Sequence, residues 1–478
     1  MLIRKMGTVA LAAGMGCFSA FGALAQHQDQ GTTASPLTIP GHPPPPSTLT
    51  DQEQGYFFNL TPYGAQIGQD LADRGIYITG RTLEEGIGAA SGGFHRGTFY
   101  EGYTSLGTDL DMGRIAGIQG GSVHILFDDL SGAQFQTYSG STLVYNRVLG
   151  MKPAFRLNEF SYEQNFGKLD VRVGRVPIGP EFDYSEANCQ FIYAMCALPV
   201  GYGNVRGAPT YATASWAAVA QYRFTRNFYV NAGAYEDEPL LNLSGHLNMP
   251  GEDWAPDKFR GVTLPVQIGY RESMKQTMYP FAVDIGGFYD TGDYTDLLLN
   301  SAGQIHALSG GAQQLDHGKS GMWLQGQKVL FRPEGGESQR NLMAFGGLNF
   351  TTSGVAAIQR TAYAGMSYTG LLPNRPNDTL NFMGMYIGLS DSFVDNVDAT
   401  LRKNGILGSL NSSEAYVELN YGVALAPGVV LKPSFDYIFN PDQLGVAHPV
   451  DNLHHAMFIG LALSAFWPET FGLPRLGG

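Results

Sequence analysis

Hydrophobic and polar residues alternate along much of this chain. In one stretch, Leu431, Phe435 and Tyr437 share one face, whereas Lys432 and Asp436 share the other. A period of two places each set on one side of a β-strand. Sixteen such runs can be placed, at residues 73–83, 103–112, 120–128, 155–165, 168–176, 215–224, 227–236, 263–272, 279–290, 320–331, 339–350, 358–370, 378–389, 413–424, 429–439 and 454–467.

The connections between these runs alternate between long and short. The odd-numbered connections, mostly long, are 84–102, 129–154, 177–214, 237–262, 291–319, 351–357, 390–412 and 440–453. The even-numbered ones are 113–119, 166–167, 225–226, 273–278, 332–338, 371–377 and 425–428. Short periplasmic turns and longer outward loops are typical of bacterial outer-membrane barrels. We therefore predict an all-β protein, a transmembrane antiparallel β-barrel of 16 strands.

The two ends of the chain differ from this pattern. Residues 1–25 combine a basic start, an apolar stretch and a small-residue site at Ala23-Leu24-Ala25, which indicates a cleaved secretory signal peptide. Residues 26–54 are proline-rich and are interpreted as a periplasmic leader. We assign residues 55–467 to the barrel, with a weak helix at 60–74, and residues 468–478 to a C-terminal extension. These features predict the bacterial outer membrane as the location.

The third outward connection, residues 177–214, stands out by its length. A long insert without regular structure inside a compact domain is usually functional. We predict that it folds into the barrel and narrows the pore. It contains Cys189 and Cys196, whose short spacing in an exported chain favours a disulfide, with two free thiols as the alternative.

Two local irregularities need their own interpretation. In the fourth run, Arg156 and Asn158 share a face with Phe160, so a β-bulge would have to re-aim part of the strand. Residues 290–296 are acidic and lie in an outward connection. Their spacing differs from that of a calcium-binding loop, so we interpret them as a solvated turn.

Charge and motifs narrow the function. The chain has a net charge of −13, which disfavours nucleic acid as a partner. The sequence contains no Gly-x-Ser-x-Gly elbow, His-Glu-x-x-His pair or Walker loop. His454 and His455 point to opposite faces of a strand, which disfavours joint metal binding. We therefore expect neither enzymatic activity nor a metal or cofactor.

Several segments resemble one known family. They are residues 156–164 with 171–175, residues 181–182 and 189–199 in the long connection, residues 370–380 and residues 414–441. The most specific is Arg375-Pro376-Asn377-Asp378. Together they resemble the carbohydrate-selective outer-membrane porins of the OprB type. Residues 468–478 and the prolines at 40–47 are not features of that family's core.

The resemblance implies a pore through which monosaccharides and small oligosaccharides diffuse past the third loop. Such a pore needs hydrogen-bonding groups that bind sugars weakly enough to release them. Strand alternation and proximity to the long loop give candidates for pore lining and sugar contact, with Arg172 the strongest: Arg81, Asp109, Glu159, Arg172, Arg175, Glu181, Arg223, Arg271, Trp323, Gln325, Glu418, Lys432 and Asp436. For each, an ordinary solvated lumen position is the alternative. Trp323 would either stack on a sugar or face lipid.

Other functions stay open at this point. The barrel could be plugged and serve a structural or adhesive role, or it could be a general, non-selective porin. A secreted polysaccharide-binding β-protein is a further alternative. The expected partners of a sugar porin are small sugars as solutes, outer-membrane lipids and the barrel assembly machinery. The preferred sugar, the ion preference and the oligomeric state are left undecided by these residues.

Overall fold

The fold is a single closed barrel. The computed structural model describes residues 55–133, 135–141, 154–192, 213–237, 259–333, 339–351, 355–406, 408–443 and 453–477. Within these residues the strands are β1 (Ile76–Gly92), β2 (Gly97–Asp111), β3 (Gly121–Gly132), β4 (Ala154–Asn165), β5 (Leu169–Val176), β6 (Ser215–Arg223), β7 (Phe228–Glu236), β8 (Val262–Arg271), β9 (Phe281–Asn300), β10 (Gln313–Phe331), β11 (Asn341–Thr351), β12 (Ile358–Thr369), β13 (Thr379–Leu389), β14 (Ser413–Ala426), β15 (Val429–Phe439) and β16 (His455–Phe466).

Each strand pairs with its sequence neighbours, and β1 pairs antiparallel with β16 to close the barrel. The predicted 16-stranded antiparallel barrel is therefore confirmed. Closure leaves no strand edge unpaired, which satisfies the backbone where the barrel crosses hydrocarbon. Alternation then sorts the side chains, as β16 illustrates: Ile459 and Leu461 are exposed on the outside, whereas Phe458 and Ala462 are buried inside.

Two hairpins are longer than the alternation predicts. β1 and β2 extend to within four residues of each other, although residues 84–102 were expected to be a loop. β9 likewise continues to Asn300, so the prediction of a solvated turn at 290–296 is wrong. Beyond the bilayer a strand needs no apolar outer face, so its outward part carries no alternating signal.

The predicted bulge in the fourth strand is present. Leu126 of β3 pairs with Glu159 of β4, but the next residue, Phe127, pairs with Leu157. Asn158 is therefore the extra residue. The shift lets Arg156 and Glu159 both lie buried on the inner side while Phe160 stays exposed outside.

The helices are short and lie outside the strands of the barrel wall. Among the described residues they are α1 (Pro62–Ala72), α2 (Met112–Ala116), α3 (Gln136–Ser139), α4 (His306–Ser309), α5 (Asp391–Lys403) and α6 (Trp467–Phe471), with a 3-10 turn at Asn188–Gln190. In the described part of the chain, no helix is both long enough and apolar enough to cross a membrane.

Helix α5 occupies an outward connection that was predicted to be a loop. Ser390 caps it by accepting a hydrogen bond from the backbone N–H of Phe393. Arg402 and Lys403 lie in its last turn, where cations stabilise the helix dipole. Lys403 Nζ also donates to the carbonyl of Ala307 at 2.6 Å, which ties α5 to the β9–β10 connection at the outward mouth.

Candidate functional site

The third outward loop enters the barrel. We call its described part, residues 177–192, loop L3. Ile178, Phe182, Phe191 and Ile192 have no exposed surface, so L3 is packed inside the lumen. The loop begins at the end of β5 and contacts the inner wall at successive strands. Its path defines where a solute can pass.

The first part of L3 is held by β5, β7 and β8. Arg172 Nη1 lies 3.3 Å from Glu181 Oε1. Asn231 Nδ2 donates to the carbonyl oxygen of Glu181 at 3.0 Å. The amide oxygen of Gln267 accepts a hydrogen bond from the backbone N–H of Asp183 at 2.9 Å. Three strands thus fix the backbone of the loop as it leaves the wall.

The middle of L3 rests on β8 and β10. Gln325 Nε2 donates to the carbonyl of Tyr184 at 2.7 Å. Arg271 Nη1 lies 3.2 Å from Glu186 Oε1 and also faces Asp284 of β9. These contacts add β10 to the strands that hold the loop, and they place charged groups beside it.

The far end of L3 reaches β14 and β15. Lys432 Nζ and Asn420 Nδ2 both donate to the carbonyl of Gln190, at 2.6 and 3.1 Å. The backbone N–H of Ile192 donates to the Glu418 carboxylate at 3.0 Å. Since the loop starts at β5 and ends against β15, L3 crosses the lumen.

Asp183 is the most perturbed charge in L3. Its backbone has a left-handed conformation, with φ of 52°, and its side chain is buried. Burial, reinforced by the nearby Asp284 carboxylate, raises the pKa of the Asp183 carboxyl well above its usual range. Asp183 therefore favours its neutral form while L3 is docked.

The wall from β2 to β5 carries charges that pair with each other. Arg172 lies 2.9 Å from Glu159 and 2.9 Å from Glu163. His124 Nδ1 lies 2.7 Å from Asp109, and its Nε2 lies 3.4 Å from Glu163. All of these side chains are nearly buried on the inner face. They form a connected band of acidic and basic groups, which we call the charged wall.

This band continues onto β1 and β3. Tyr103 donates its hydroxyl hydrogen to Asp128 at 2.9 Å. Asp128 also interacts electrostatically with Arg81 and Arg156 on either side. Arg81 lies with its guanidinium carbon 5.3 Å from the ring centre of Phe466. A neutral polyhydroxylated solute would meet donors and acceptors of both kinds along this wall.

Comparison with known proteins shows which family this chain matches. Residues 95–465 match the family described as carbohydrate-selective porin, OprB family. The chain belongs to the carbohydrate-selective porins. This porin is therefore an outer-membrane channel for the diffusion of carbohydrates, and its family is one of channels rather than enzymes.

Individual relatives support the same assignment. Porin B of Pseudomonas aeruginosa is 24% identical over 382 residues, covering 76% of this porin and 81% of that protein. The putative porin QuiX of Acinetobacter baylyi is 22% identical over 397 residues, covering 78% of this porin and 86% of that protein. The solved high-pH structure of Pseudomonas putida OprB has a TM-score of 0.75 at 22% identity, covering 83% of this porin and 96% of that chain, and so shares its fold.

Most sequence-predicted candidates point into the lumen of the porin. Arg81, Asp109, Glu159, Arg172, Gln325, Glu418, Lys432 and Asp436 are buried on the inner face, Arg223 and Arg271 are largely so, and Glu181 lies on L3. Among them, Lys432, Gln325 and Glu418 hold the loop, and Arg81, Asp109 and Glu159 belong to the charged wall. Arg172 does both. Direct contact with sugar stays a prediction for each.

Arg175 differs from these candidates in its cross-strand neighbours. It is paired across the sheet with Trp216. Its Nη2 donates to the carbonyl of Ala214 at 2.6 Å. Trp216 and Phe160, its cross-strand neighbours, are exposed on the outside. Arg175 itself is fully buried, and Gly174 beside it has a φ of 135°, which interrupts the regular strand geometry. Contact of Arg175 with the constriction therefore stays a prediction.

Trp323 faces inward, so the lipid-facing alternative is wrong. Its Nε1 donates to Gln267 Oε1 at 3.0 Å, and its ring lies against Gly286, where a side chain would collide with it. Only 4% of the residue is exposed. This packing leaves no accessible ring face for a sugar, and it places Trp323 among the residues that support L3 through Gln267.

Sequence reasoning missed a second lumen element. Residues 135–141, which include α3, fold inward from the β3–β4 connection. Phe135 packs on Phe458 of β16 with ring centres 4.7 Å apart. Ser141 donates to Glu414 of β14 at 2.9 Å. The contact joins residues 273 positions apart, so no local pattern could have indicated it.

Several wall residues were also missed. His124, Asp128 and Glu163 lie inside with the predicted set. The alternation of Ser122, His124 and Asp128 along the third run was the available signal. The predicted Cys189–Cys196 disulfide stays a prediction because Cys196 lies outside the described residues. Cys189 Sγ is 3.5 Å from the carbonyl of Ser185.

Proposed function

We propose that this porin selects monosaccharides and small oligosaccharides at the gap between L3 and the charged wall of β1 to β5. The crossing of the lumen by L3 is the observation that carries the proposal. A loop anchored on one side of a barrel and extending to the other restricts solutes by size. Larger oligosaccharides would be excluded by the same restriction.

The charged wall supplies the preference for sugars over other small solutes. Acidic and basic groups that pair with each other present donors and acceptors while largely cancelling each other's field. A neutral hydroxylated solute can exchange hydrogen bonds along such a surface, whereas an ion of either sign meets both attraction and repulsion. In this proposal Arg172, Glu159, Arg81 and Asp109, which are 3–6% exposed, contact sugar through single polar atoms at the wall surface. A hydrogen bond needs only one such atom, whereas stacking needs an open ring face, and L3 holds the solute against these atoms.

Planar-bilayer recording tests the proposal. The purified porin should form single channels whose current falls as glucose or a disaccharide is added, and recovers on washing. Arg402→Gln, which changes an exposed residue of α5, should behave like the unchanged protein. Open channels with no block by any sugar would indicate a general porin. The absence of channels from correctly folded protein would indicate a plugged barrel with a structural or adhesive role.

Three further expectations accompany this function. The signal peptide 1–25 is cleaved during export, the apolar outer surface contacts outer-membrane lipids, and the barrel assembly machinery inserts the chain. N-terminal sequencing of the mature protein should start at Gln26. Thiol labelling of the denatured, unreduced protein should find no reactive cysteine if Cys189 and Cys196 are bridged, and labelling of both would exclude the disulfide.

A further inference from the structure

The segments before β1 and after β16 meet at the periplasmic end of the barrel. We call residues 55–75 and 467–477 together the periplasmic strap. Both lie outside the 95–465 match to the porin family. Their contacts cross the line where the first and last strands pair.

The strap starts beneath β14 and the β12–β13 turn. The backbone N–H groups of Phe57 and Phe58 both donate to the carbonyl of Leu425, at 2.8 and 3.3 Å. Arg375 donates to the carbonyl of Gly55, and its guanidinium carbon lies 4.5 Å from the ring centre of Phe57. The chain then runs through α1 to β1. It therefore passes from the β14 side of the barrel, beyond β15 and β16, to the other side of the closure.

Helix α1 packs tightly on the C-terminal segment. A Cβ atom added at Gly64 would lie 2.5 Å from the carbonyl oxygen of Phe471. One added at Gly68 would lie 2.8 Å from Pro474 Cδ and 3.0 Å from Leu473 Cδ2. Glycine at both positions lets the two segments approach this closely, and any side chain would force them apart.

Further contacts fasten the C-terminal half of the strap. The ring of Trp467 lies over Gly80 of β1, where a side chain would approach it to 2.8 Å. A Cβ atom added at Gly428, in the β14–β15 turn, would lie 2.8 Å from Glu469 Cβ. Leu476 is buried with Ala72 and Tyr77. Residues that follow β16 are thus packed against residues that precede or begin β1.

We propose that the periplasmic strap stabilises the pairing of β1 with β16 and therefore keeps the barrel closed. Turns or loops of consecutive chain connect the other adjacent strands, but β1 and β16 pair without a connecting segment. Separation of that pair would open the barrel and expose two strand edges. The strap supplies the missing connection non-covalently, through packing that depends on Gly64 and Gly68.

The test compares glycine substitutions within this packing and away from it. Gly64→Leu with Gly68→Leu should lower the temperature at which the purified porin loses its compact migration on a semi-native gel by about 5–10 °C. Gly86→Leu is the matched control, since it lies on the outer face of β1 with no atom within 4 Å of the added Cβ. The control should shift the transition little. If the double variant fails to insert, Gly68→Ala provides a smaller clash in the same place and a smaller shift.

A cross-link distinguishes stabilisation of the β1–β16 pair from a general contribution to the stability of the barrel. Gly88 and Ile459 are directly paired across β1 and β16, so Gly88→Cys with Ile459→Cys should form a disulfide over the closure. It should restore the transition temperature of the strap variant. The same cross-link between paired Leu348 and Ala362, on β11 and β12, should not. No shift in either strap variant, or equal rescue by both cross-links, would overturn the proposal.

Discussion

The two sides of the lumen use their polar residues differently. On the side from β7 to β15, Gln325, Asn420 and Lys432 donate to backbone carbonyls of L3. On the side from β2 to β5, Arg172 and His124 pair instead with carboxylates of neighbouring strands. The first side holds the middle and far end of L3, whereas the second pairs its charges mainly within the wall and contacts L3 through Arg172 and Glu181.

The difference indicates a division of roles. We call the side from β7 to β15 the anchoring wall. Backbone carbonyls are present whatever the side chains of a loop, so this wall fixes the path of L3 with little dependence on the sequence of L3. The charged wall depends on side-chain identity, because each substitution leaves a partner unbalanced. We therefore expect pore size to follow the loop and solute preference to follow the charged wall.

Removal of L3 should have the largest effect. Replacing residues 180–213 by a short Gly-Ser linker should raise single-channel conductance several-fold and abolish block by sugar, because the lumen loses the element that crosses it. The barrel should keep its heat-modifiable migration, since strands and turns are unchanged. If the shortened chain no longer forms a barrel, L3 is a structural support and the division between the walls is wrong.

Arg172→Gln should have the next largest effect. The guanidinium pairs with Glu159, Glu163 and Glu181, and its loss leaves these buried carboxylates poorly compensated, at a cost of roughly 3–5 kcal/mol in the free energy of unfolding. The excess negative charge should also shift ion selectivity towards cations in reversal-potential measurements.

Two controls sharpen the Arg172 experiment. Arg172→Lys keeps the charge but loses the forked geometry, so its effect should be intermediate. Arg402→Gln removes a surface cation that is 69% exposed in the side chain and 3.8 Å from Asp398, and should cost at most about 1 kcal/mol. If Arg172→Gln and Arg402→Gln changed the free energy of unfolding and the ion selectivity equally, the charged wall would have no special role.

The docking of L3 should weaken as pH rises. Asp183 has a raised pKa when docked, so the docked loop keeps a proton that a released loop loses from about pH 4 upward. The contribution of Asp183 to docking is therefore fully present below about pH 4 and is lost as pH rises towards the raised pKa. Limited proteolysis within L3 should accelerate over this range.

Asp183→Asn should remove the pH dependence and keep L3 protected, because the amide resembles the neutral carboxyl in shape. Asp395→Asn, on the exposed side of α5, should leave the pH dependence unchanged. A variant at Asp183 that still shows the full acceleration would assign the effect to another group.

Features with a local signature were predictable from the sequence. Period-two alternation located the strands, loop length located L3, and the disturbed alternation around Arg156 and Asn158 indicated the bulge. The inward direction of Arg172 and Lys432 followed from the same alternation.

Features that depend on distant partners were not predictable. Ser141 meets Glu414, and Arg375 meets Gly55, across hundreds of residues. The outward ends of β1 and β9 lack an apolar outer face, so the alternation that marks a lipid-facing strand is missing there. The inward direction of Trp323 was not predictable either, because alternation divides a strand into two faces without saying which of them is turned to the lumen.

Trp323→Phe should have the smallest effect. The indole N–H donates to Gln267 Oε1, which also accepts from the backbone of Asp183, so the change removes one of two hydrogen bonds to that oxygen. We expect a loss of about 1 kcal/mol and a transition temperature lower by roughly 2–4 °C. Sugar block should be unchanged, because a buried ring offers no surface for stacking. Trp216→Phe on the outer face provides the same substitution away from the lumen and should leave L3 unaffected. If Trp323→Phe alone weakens sugar block, the anchoring wall also contacts the solute, and the two sides of the lumen share the work of selection.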